Sequence, residues 1–258
     1  MEAHCRQFGE VCLLLLQTSI ENNVSFYFSF AQEIKLRRNG RIKMSVCALV
    51  GALGINKEHF KNNKFDYIIA VDRGFERLEA IGVTPNLVIG DFDSLGYIPK
   101  HPFVQRYSTQ KDESDIEIAL HEAVDRGFDA LIIYGCLGGR LDFTYAVYQL
   151  LGNFAEAGKK IFAIGDNTVV GALNGAHHSE ITFGPQAEGL FSLFAFSERV
   201  MGVKETGLEY SVNNIILHNN KPLGVSNNFI GEPSLITIAE GTALFFFSSK
   251  SWSALQMF

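Results

Sequence analysis

A chain of 258 residues, 47% apolar and 19% charged, can build a packed core and is too hydrophobic to be disordered. No apolar run approaches the roughly 18 residues that cross a bilayer, and a net charge of −6 argues against a general nucleic-acid binder, which would carry a basic stripe. Four cysteines (Cys5, Cys12, Cys47, Cys136) without CxxC or CxxH spacing read as free thiols in a reducing, cytoplasmic compartment, not as a disulfide frame or zinc site.

Residues 1–43 stand apart from the rest. They carry +2 against −8 for the remainder, hold no Asp, and keep no sustained hydrophobic period. Val11–Leu16 is short for a signal-peptide core, and Glu2 and Glu10 stand where a basic stretch would precede it. The expectation is an N-terminal appendage outside the core, translated from an early start codon, with Met44 directly before the first clean strand. The alternative is an extra helix packed on the core.

From Met44 strands and helices alternate. Val46–Val50, Tyr67–Val71, Leu87–Ile89, Phe103–Tyr107, Ala130–Tyr134 and Ile161–Ile164 are short apolar runs, as buried parallel strands require. Ile116, Ala119, Leu120, Ala123 and Val124 form a helical stripe that ends at Gly127. Phe143, Val147, Leu150 and Phe154 form a second, stopping near Gly158, and a short helix is expected over Phe75–Ala80. Residues 44–165 therefore predict an α/β domain whose mostly parallel sheet is flanked by helices. After Gly165, strand-like runs follow without helices: Thr168–Leu173, Glu180–Phe183, Leu190–Phe196, Ile215–Leu217, Leu235–Ala239 and Ala243–Phe247, punctuated by Asn and Gly. Residues 166–258 predict an all-β sandwich domain.

Ligands in open α/β sheets bind beyond the carboxyl ends of the strands, which directs attention to four segments. Asp72 ends the second strand, in Val71-Asp72-Arg73-Gly74, and alone is best read as an N-cap for the following helix. Gly90-Asp91-Phe92-Asp93-Ser94 follows the third strand; two carboxylates at i and i+2 of extended chain point the same way and suit Mg²⁺, although a solvated acidic loop fits as well. Lys111-Asp112-Glu113-Ser114-Asp115 opens the Ile116 helix, where Asp112 serves as an N-cap, or Asp115 meets a metal and Lys111 a phosphate. Gly138-Gly139-Arg140-Leu141-Asp142 is a glycine-rich strand-to-helix turn with an arginine fork, suited to an anion but matching neither the P-loop nor the dinucleotide fingerprint. Jointly these acids face a glycine/arginine turn at one sheet edge, the arrangement of magnesium-nucleotide chemistry.

Elsewhere the signals are weaker. Gly224-Val225-Ser226-Asn227-Asn228 is best read as a hairpin turn, and Phe245-Phe246-Phe247 as a buried strand or subunit interface. His177-His178 lacks a third metal ligand at suitable spacing, and Trp252 lies in a polar tail without an assigned role.

Val71–Gly74, Pro85–Ser94, Lys111–Asp115 and Gly138–Asp142, in this order and spacing, closely resemble the bacterial-type thiamin pyrophosphokinases; Gly189–Phe194, Gly207–Tyr210 and Gly224–Asn227 extend the likeness nearly to the C-terminus. The resemblance implies transfer of a diphosphate from ATP to the hydroxyl of thiamin, releasing AMP, by a homodimer. It implies Mg²⁺ held by Asp91, Asp93 and Asp115, with Asp72 nearby. Lys111, Gly138, Gly139 and Arg140 would hold phosphates, Asp142 would orient substrate, and Ser226 and Asn227 would reach thiamin across the dimer interface. Two positions depart from the family: Phe143 stands where a histidine is usual and Val147 where an asparagine is usual.

Two other readings compete. Val88–Ser94 also resembles the first motif of haloacid-dehalogenase phosphatases, with Asp91 as nucleophile and Gly165-Asp166-Asn167 as their late acidic motif. A catalytically impaired thiamin- or nucleotide-binding homologue fits the Phe143 and Val147 departures. Within the pyrophosphokinases, another alcohol such as a pterin is the rival acceptor.

Overall fold

The structure is a computed structural model that describes residues 44–256. The expected appendage, residues 1–43, lies outside them. The described chain belongs to one compact unit that begins at Met44.

In chain order the elements are β1 (Val46–Val50), α1 (Lys57–Asn62), β2 (Tyr67–Val71), α2 (Gly74–Glu79), β3 (Leu87–Gly90), β4 (Val104–Arg106), α3 (Asp115–Asp125), β5 (Ala130–Tyr134), α4 (Leu141–Glu156) and β6 (Lys160–Ile164). Then come β7 (Thr168–Asn174), β8 (Glu180–Phe183), β9 (Leu190–Ala195), β10 (Arg199–Thr206), β11 (Val212–His218), β12 (Asn227–Asn228), β13 (Ser234–Thr237), β14 (Thr242–Ser248) and a 3-10 helix (Ser249–Ala254).

The first six strands pair in parallel, in the order β4-β3-β2-β1-β5-β6. Strands β1 and β5 are buried almost throughout, as expected of strands covered on both faces. The order reverses between β1 and β5, so the crevice beyond their carboxyl ends is a topological switch point. One face of the sheet packs Ile116, Leu120, Val147, Leu151 and Phe154 from α3 and α4; the other packs Phe60, Phe75 and Leu78 from α1 and α2.

The α/β layer is thus followed by a β sandwich, but one of its layers is the main sheet itself. Strand β7 pairs antiparallel with β6, and β14, β9 and β12 continue outward, giving ten strands in one sheet. The division expected after residue 165 is no break in that sheet. The second layer is the antiparallel sheet β11-β10-β13-β8. Phe183, Val200, Val203 and Ile236 from it pack with Phe191, Leu193, Phe245 and Phe247 of the main sheet.

Strand β10 was not expected from sequence. Gly202 has φ +66° and the pairing with β11 slips on both sides of Val203, so inward residues Val200, Val203 and Glu205 do not keep a single period of two. Trp252, expected to be a tail residue, is partly buried: its ring packs on His59 and Phe162, and its indole N–H donates to Asn63 Oδ1 at 2.9 Å. Among the described residues no helix is long and apolar enough to cross a membrane.

Candidate active site

Strands β2 and β3 are neighbours in the sheet, so the chain leaving each passes the same point. Asp72 follows β2 with φ +48°, a conformation few non-glycine residues adopt. Its side chain does not cap α2, whose N-cap is Arg73 without a side-chain bond. It turns instead toward β3, where the Phe92 N–H donates to Asp72 Oδ1 at 3.3 Å. Gly90 makes that approach possible: an ideal Cβ there would lie 2.0 Å from Asp72 Oδ1. The N-cap expectation for Asp72 is thereby corrected, since the carboxylate finds a better donor in the neighbouring loop.

Asp115 reaches the same point from the first turn of α3. The N-cap of α3 is Ser114, whose hydroxyl accepts from the Glu117 N–H, and not Asp112, which is exposed. Asp72, Asp91 and Asp115 each place a carboxylate oxygen within 4.8 Å of the others. Burial pushes the Asp72 carboxyl up to about 7, helped by the Asp115 charge, a hydrogen bond shared with Asp115 and the Asp91 charge; the Phe92 N–H opposes the shift. Three hard oxygen donors at this spacing fit a small divalent cation such as Mg²⁺. Asp93 is exposed and outside the trio, and its N–H donates to Asp91 Oδ1 at 3.0 Å. Lys111 forms an ion pair with Asp115 and lies 5.5 Å from the Tyr107 ring centre. It is therefore engaged with the acid cluster, not extended toward solvent.

The turn after β5 faces this cluster. Gly138 and Gly139 have φ of +85° and +68°, left-handed values that glycine takes without strain. The Gly138 N–H donates to Thr144 Oγ1 at 3.1 Å, tying the turn to α4. Arg140 grips Asp142 with two bonds, Nη2–Oδ2 at 2.5 Å and Nε–Oδ1 at 3.2 Å; both residues are exposed. The hydrogen bond from Arg140 holds the Asp142 carboxyl below its ordinary range.

Acids and turn share a cavity of about 320 Å³, lined by Asp72, Asp115, Gly138, Arg140 and Phe143 among others. Sequence reasoning passed over Gly51-Ala52-Leu53, which also line it. Their signal was available: they follow the carboxyl end of β1, one side of the switch point. The Gly51 and Leu53 N–H groups donate to Tyr134 O (2.8 Å) and Gly135 O (2.9 Å), joining the loops after β1 and β5. Phe143 lines the cavity, whereas Val147 is fully buried in the apolar layer under α4, where an amide would lack water.

The remaining expected residues lie elsewhere. Ser226, with φ +61°, and Asn227 lie on the far edge of the main sheet, at β12. Asp166 and Asn167, the late acidic motif of the phosphatase reading, line a separate cavity with Asn56, His59 and Trp252. That motif is therefore not brought to Asp91.

The family described as thiamin pyrophosphokinase, catalytic domain, matches residues 59–163, the stretch that carries all three acids and the glycine turn. A thiamine pyrophosphokinase of Bacillus subtilis is 28% identical over 180 residues, covering 67% of this chain and 83% of the relative. The crystal structure of the Geobacillus thermodenitrificans thiamin pyrophosphokinase aligns with TM-score 0.67 and 25% identity, covering 80% of this chain and 99% of the other. The Candida albicans thiamin pyrophosphokinase shares the fold at TM-score 0.64 and 16% identity, over 80% of this chain and 89% of its own. The catalytic-domain match of the thiamin pyrophosphokinases thus spans the acid cluster, and the chain shares their fold along most of its length.

Proposed function

We propose that the protein transfers a diphosphate group from ATP to the hydroxyl of thiamin, giving thiamin diphosphate and AMP. The observation that carries this reading is the gathering of Asp72, Asp91 and Asp115 opposite the Gly138–Arg140 turn, at the switch point and within the matched catalytic domain. Asp72, Asp91 and Asp115 would hold Mg²⁺, with Asp93 as an exposed carboxylate beside them. When bound, the ion neutralises the phosphate oxygens as charge shifts in the transfer. The Gly139 backbone and Arg140 bind the phosphates, Gly138 holds the turn on α4 through Thr144, Lys111 stabilises Asp115, and Asp142 fixes the Arg140 fork. Attack of an alcohol on phosphorus needs alignment and charge neutralisation more than a strong base, and this set of residues offers both. The buried free thiols Cys47 and Cys136 support a cytoplasmic setting.

The sheet order supports a homodimer. From β12, which carries the Ser226 segment, to β2, which carries Asp72, there are seven strand steps in one sheet. At about 4.8 Å each they separate the two by roughly 30 Å. An acceptor held by Ser226 meets the acid cluster only if a second copy supplies one of them.

The direct test is incubation with ATP, Mg²⁺ and thiamin, following AMP and thiamin diphosphate. AMP formed without any dependence on thiamin, or phosphate released from simple esters without ATP, would overturn the reading; ligand binding without AMP would mark an impaired homologue. Thiamin against a pterin alcohol in the same assay settles the acceptor. Mixing Asp91→Asn with Ser226→Arg tests the dimer. Random pairing leaves one intact composite site in about half the dimers, restoring about a quarter of full activity. No recovery after verified subunit exchange would exclude a shared site.

A further inference from the structure

Asn227 was expected to touch thiamin, but its side chain is committed inside the chain. Its amide nitrogen donates to Glu205 Oε2 at 2.8 Å and to Tyr210 O at 2.8 Å. Its carbonyl oxygen accepts from the N–H groups of Tyr210 (2.9 Å) and Asn228 (3.0 Å). An asparagine side chain offers two donor and two acceptor positions, so all are in use. Ser226, one residue earlier, differs: it is exposed, takes φ +61°, and its backbone N–H donates to Ser192 Oγ at 3.1 Å.

Glu205 is the other unusual member. It is 6% exposed, and burial pushes its carboxyl up, opposed by the hydrogen bond from Asn227. Burying a carboxylate is costly unless it does something in return. Strand β10 is irregular just here, its pairing with β11 slipping between Val203 and Glu205, while Glu205 stays on the buried face two residues after Val203. Beyond Asn227, Tyr210 is pinned at both its backbone N–H and C=O, while its ring is 62% exposed. The network thus ties two backbone segments, 209–210 and 227–228, together, and Tyr210 and Ser226 beside it are exposed.

We propose that Glu205 is a positioning residue for the acceptor: acting through Asn227, it fixes the Ser226 hydroxyl and the Tyr210 ring where the acceptor binds, and Asn227 itself does not touch the substrate. This rests on the thiamin pyrophosphokinase reading given above. Glu205 orients the acceptor segment only, so its loss leaves the ATP site, on the distant strands β2 and β3, intact.

The test compares Glu205→Ala, Glu205→Gln and Ser226→Ala by steady-state kinetics at saturating ATP and, separately, saturating thiamin. Glu205→Ala raises the KM for thiamin about tenfold, with kcat and the KM for ATP little changed, because a hydrogen bond to a charged group is lost. Glu205→Gln keeps an oxygen acceptor for Asn227 and restores most of the affinity. In the Glu205→Ala background, Ser226→Ala adds less than it does alone, since the two act on one contact. Should Glu205→Ala fold poorly, Asn227→Asp keeps the volume and the acceptors but sets a second carboxylate against Glu205, and the same KM for thiamin rises. Amide hydrogen exchange of the ligand-free protein reads the clamp directly: the Tyr210 and Asn228 N–H groups exchange faster in Glu205→Ala and at the native rate in Glu205→Gln. An unchanged thiamin KM, equal loss toward ATP and thiamin, or unchanged exchange would overturn the proposal while thiamin turnover stands. Absence of thiamin turnover in the unaltered protein, with the exchange pattern as expected, would overturn the functional reading and the proposal with it.

Discussion

Replacing Gly90 with alanine would drive a methyl group into the Asp72 carboxylate. The new Cβ would lie 2.0 Å from Asp72 Oδ1 and 2.8 Å from its Cγ, whereas real Cβ contacts essentially never fall below 3.0 Å. The carboxylate must therefore retreat by at least about 1 Å, losing its bond from the Phe92 N–H and its place beside Asp91 and Asp115. A 1 Å error in a reacting constellation costs on the order of 100-fold in rate, about 2.7 kcal/mol of activation free energy. The global cost is about 2–6 kcal/mol, because φ +158° at Gly90 is itself a conformation that alanine rarely adopts and the Asp72 side chain must give way as well. The assay is AMP formation from ATP and thiamin across a Mg²⁺ titration, beside circular dichroism and thermal melting. Gly82→Ala is the control: it has φ +72° but open space around it, so it shows a backbone cost of about 1 kcal/mol and full activity. A Gly90→Ala protein with unchanged turnover and Mg²⁺ dependence would refute the reasoning that glycine is there to admit Asp72.

Arg140→Ala, at an exposed position, should leave stability within about 0.5 kcal/mol while raising the KM for ATP about tenfold; an unchanged KM removes Arg140 from phosphate binding. Burial lowers the His59 imidazole to about 4, so the folded protein binds its proton less readily than the unfolded chain does between about pH 4 and 6.5. Stability should fall as pH drops through that window, by about 3 kcal/mol at most, and His59→Gln should flatten this limb in denaturant titrations; an identical slope counts against it. Trp252→Ala removes the ring packed on His59 and Phe162 and should cost about 3 kcal/mol, lowering Tm on the order of 6–12 °C, whereas an unaltered melt would make the 3-10 helix a mere tail.

Strands whose both faces are apolar were legible because burial leaves no other composition: Tyr67–Val71 and Ala130–Tyr134 are found where their runs lie. Strand β10 was hidden because a glycine bulge and an inward glutamate break the alternation that marks a strand. At the site, the acids were legible as a group, since strand order alone carries them to one edge. Which of them converge was not. Asp72 joins the trio and Asp93 stays outside because of a left-handed backbone at Asp72 and a contact across Gly90, and neither leaves a local pattern. The commitment of Asn227 was hidden for a similar reason: its partners Glu205 and Tyr210 are brought to it by the fold, 22 and 17 residues away in sequence.

The continuity of the main sheet bears on the glycine turn after β5. Helix α4 begins at the Gly138–Asp142 turn, and its buried face rests on strands from both parts of the chain. Val147, Leu151 and Phe154 pack in one layer with Ile161 and Ala163 of β6 and with Val170, Ala172 and Leu244 of β7 and β14. At the far end of the helix, the Thr242 hydroxyl of β14 donates to Glu156 Oε1 at 2.9 Å. Gly152 lets the Phe196 ring close on the middle of the same helix, where an added Cβ would stand 2.3 Å from it. The helix that sets the Gly138–Asp142 turn is therefore seated by the strands of the sandwich as much as by its own α/β layer. A packed interface of this kind transmits displacement instead of absorbing it. Loss of packing at β7 or β14 would reach Arg140 through the tilt of α4, so on the proposed function the second half of the chain would support phosphate binding as well as carry the acceptor segment.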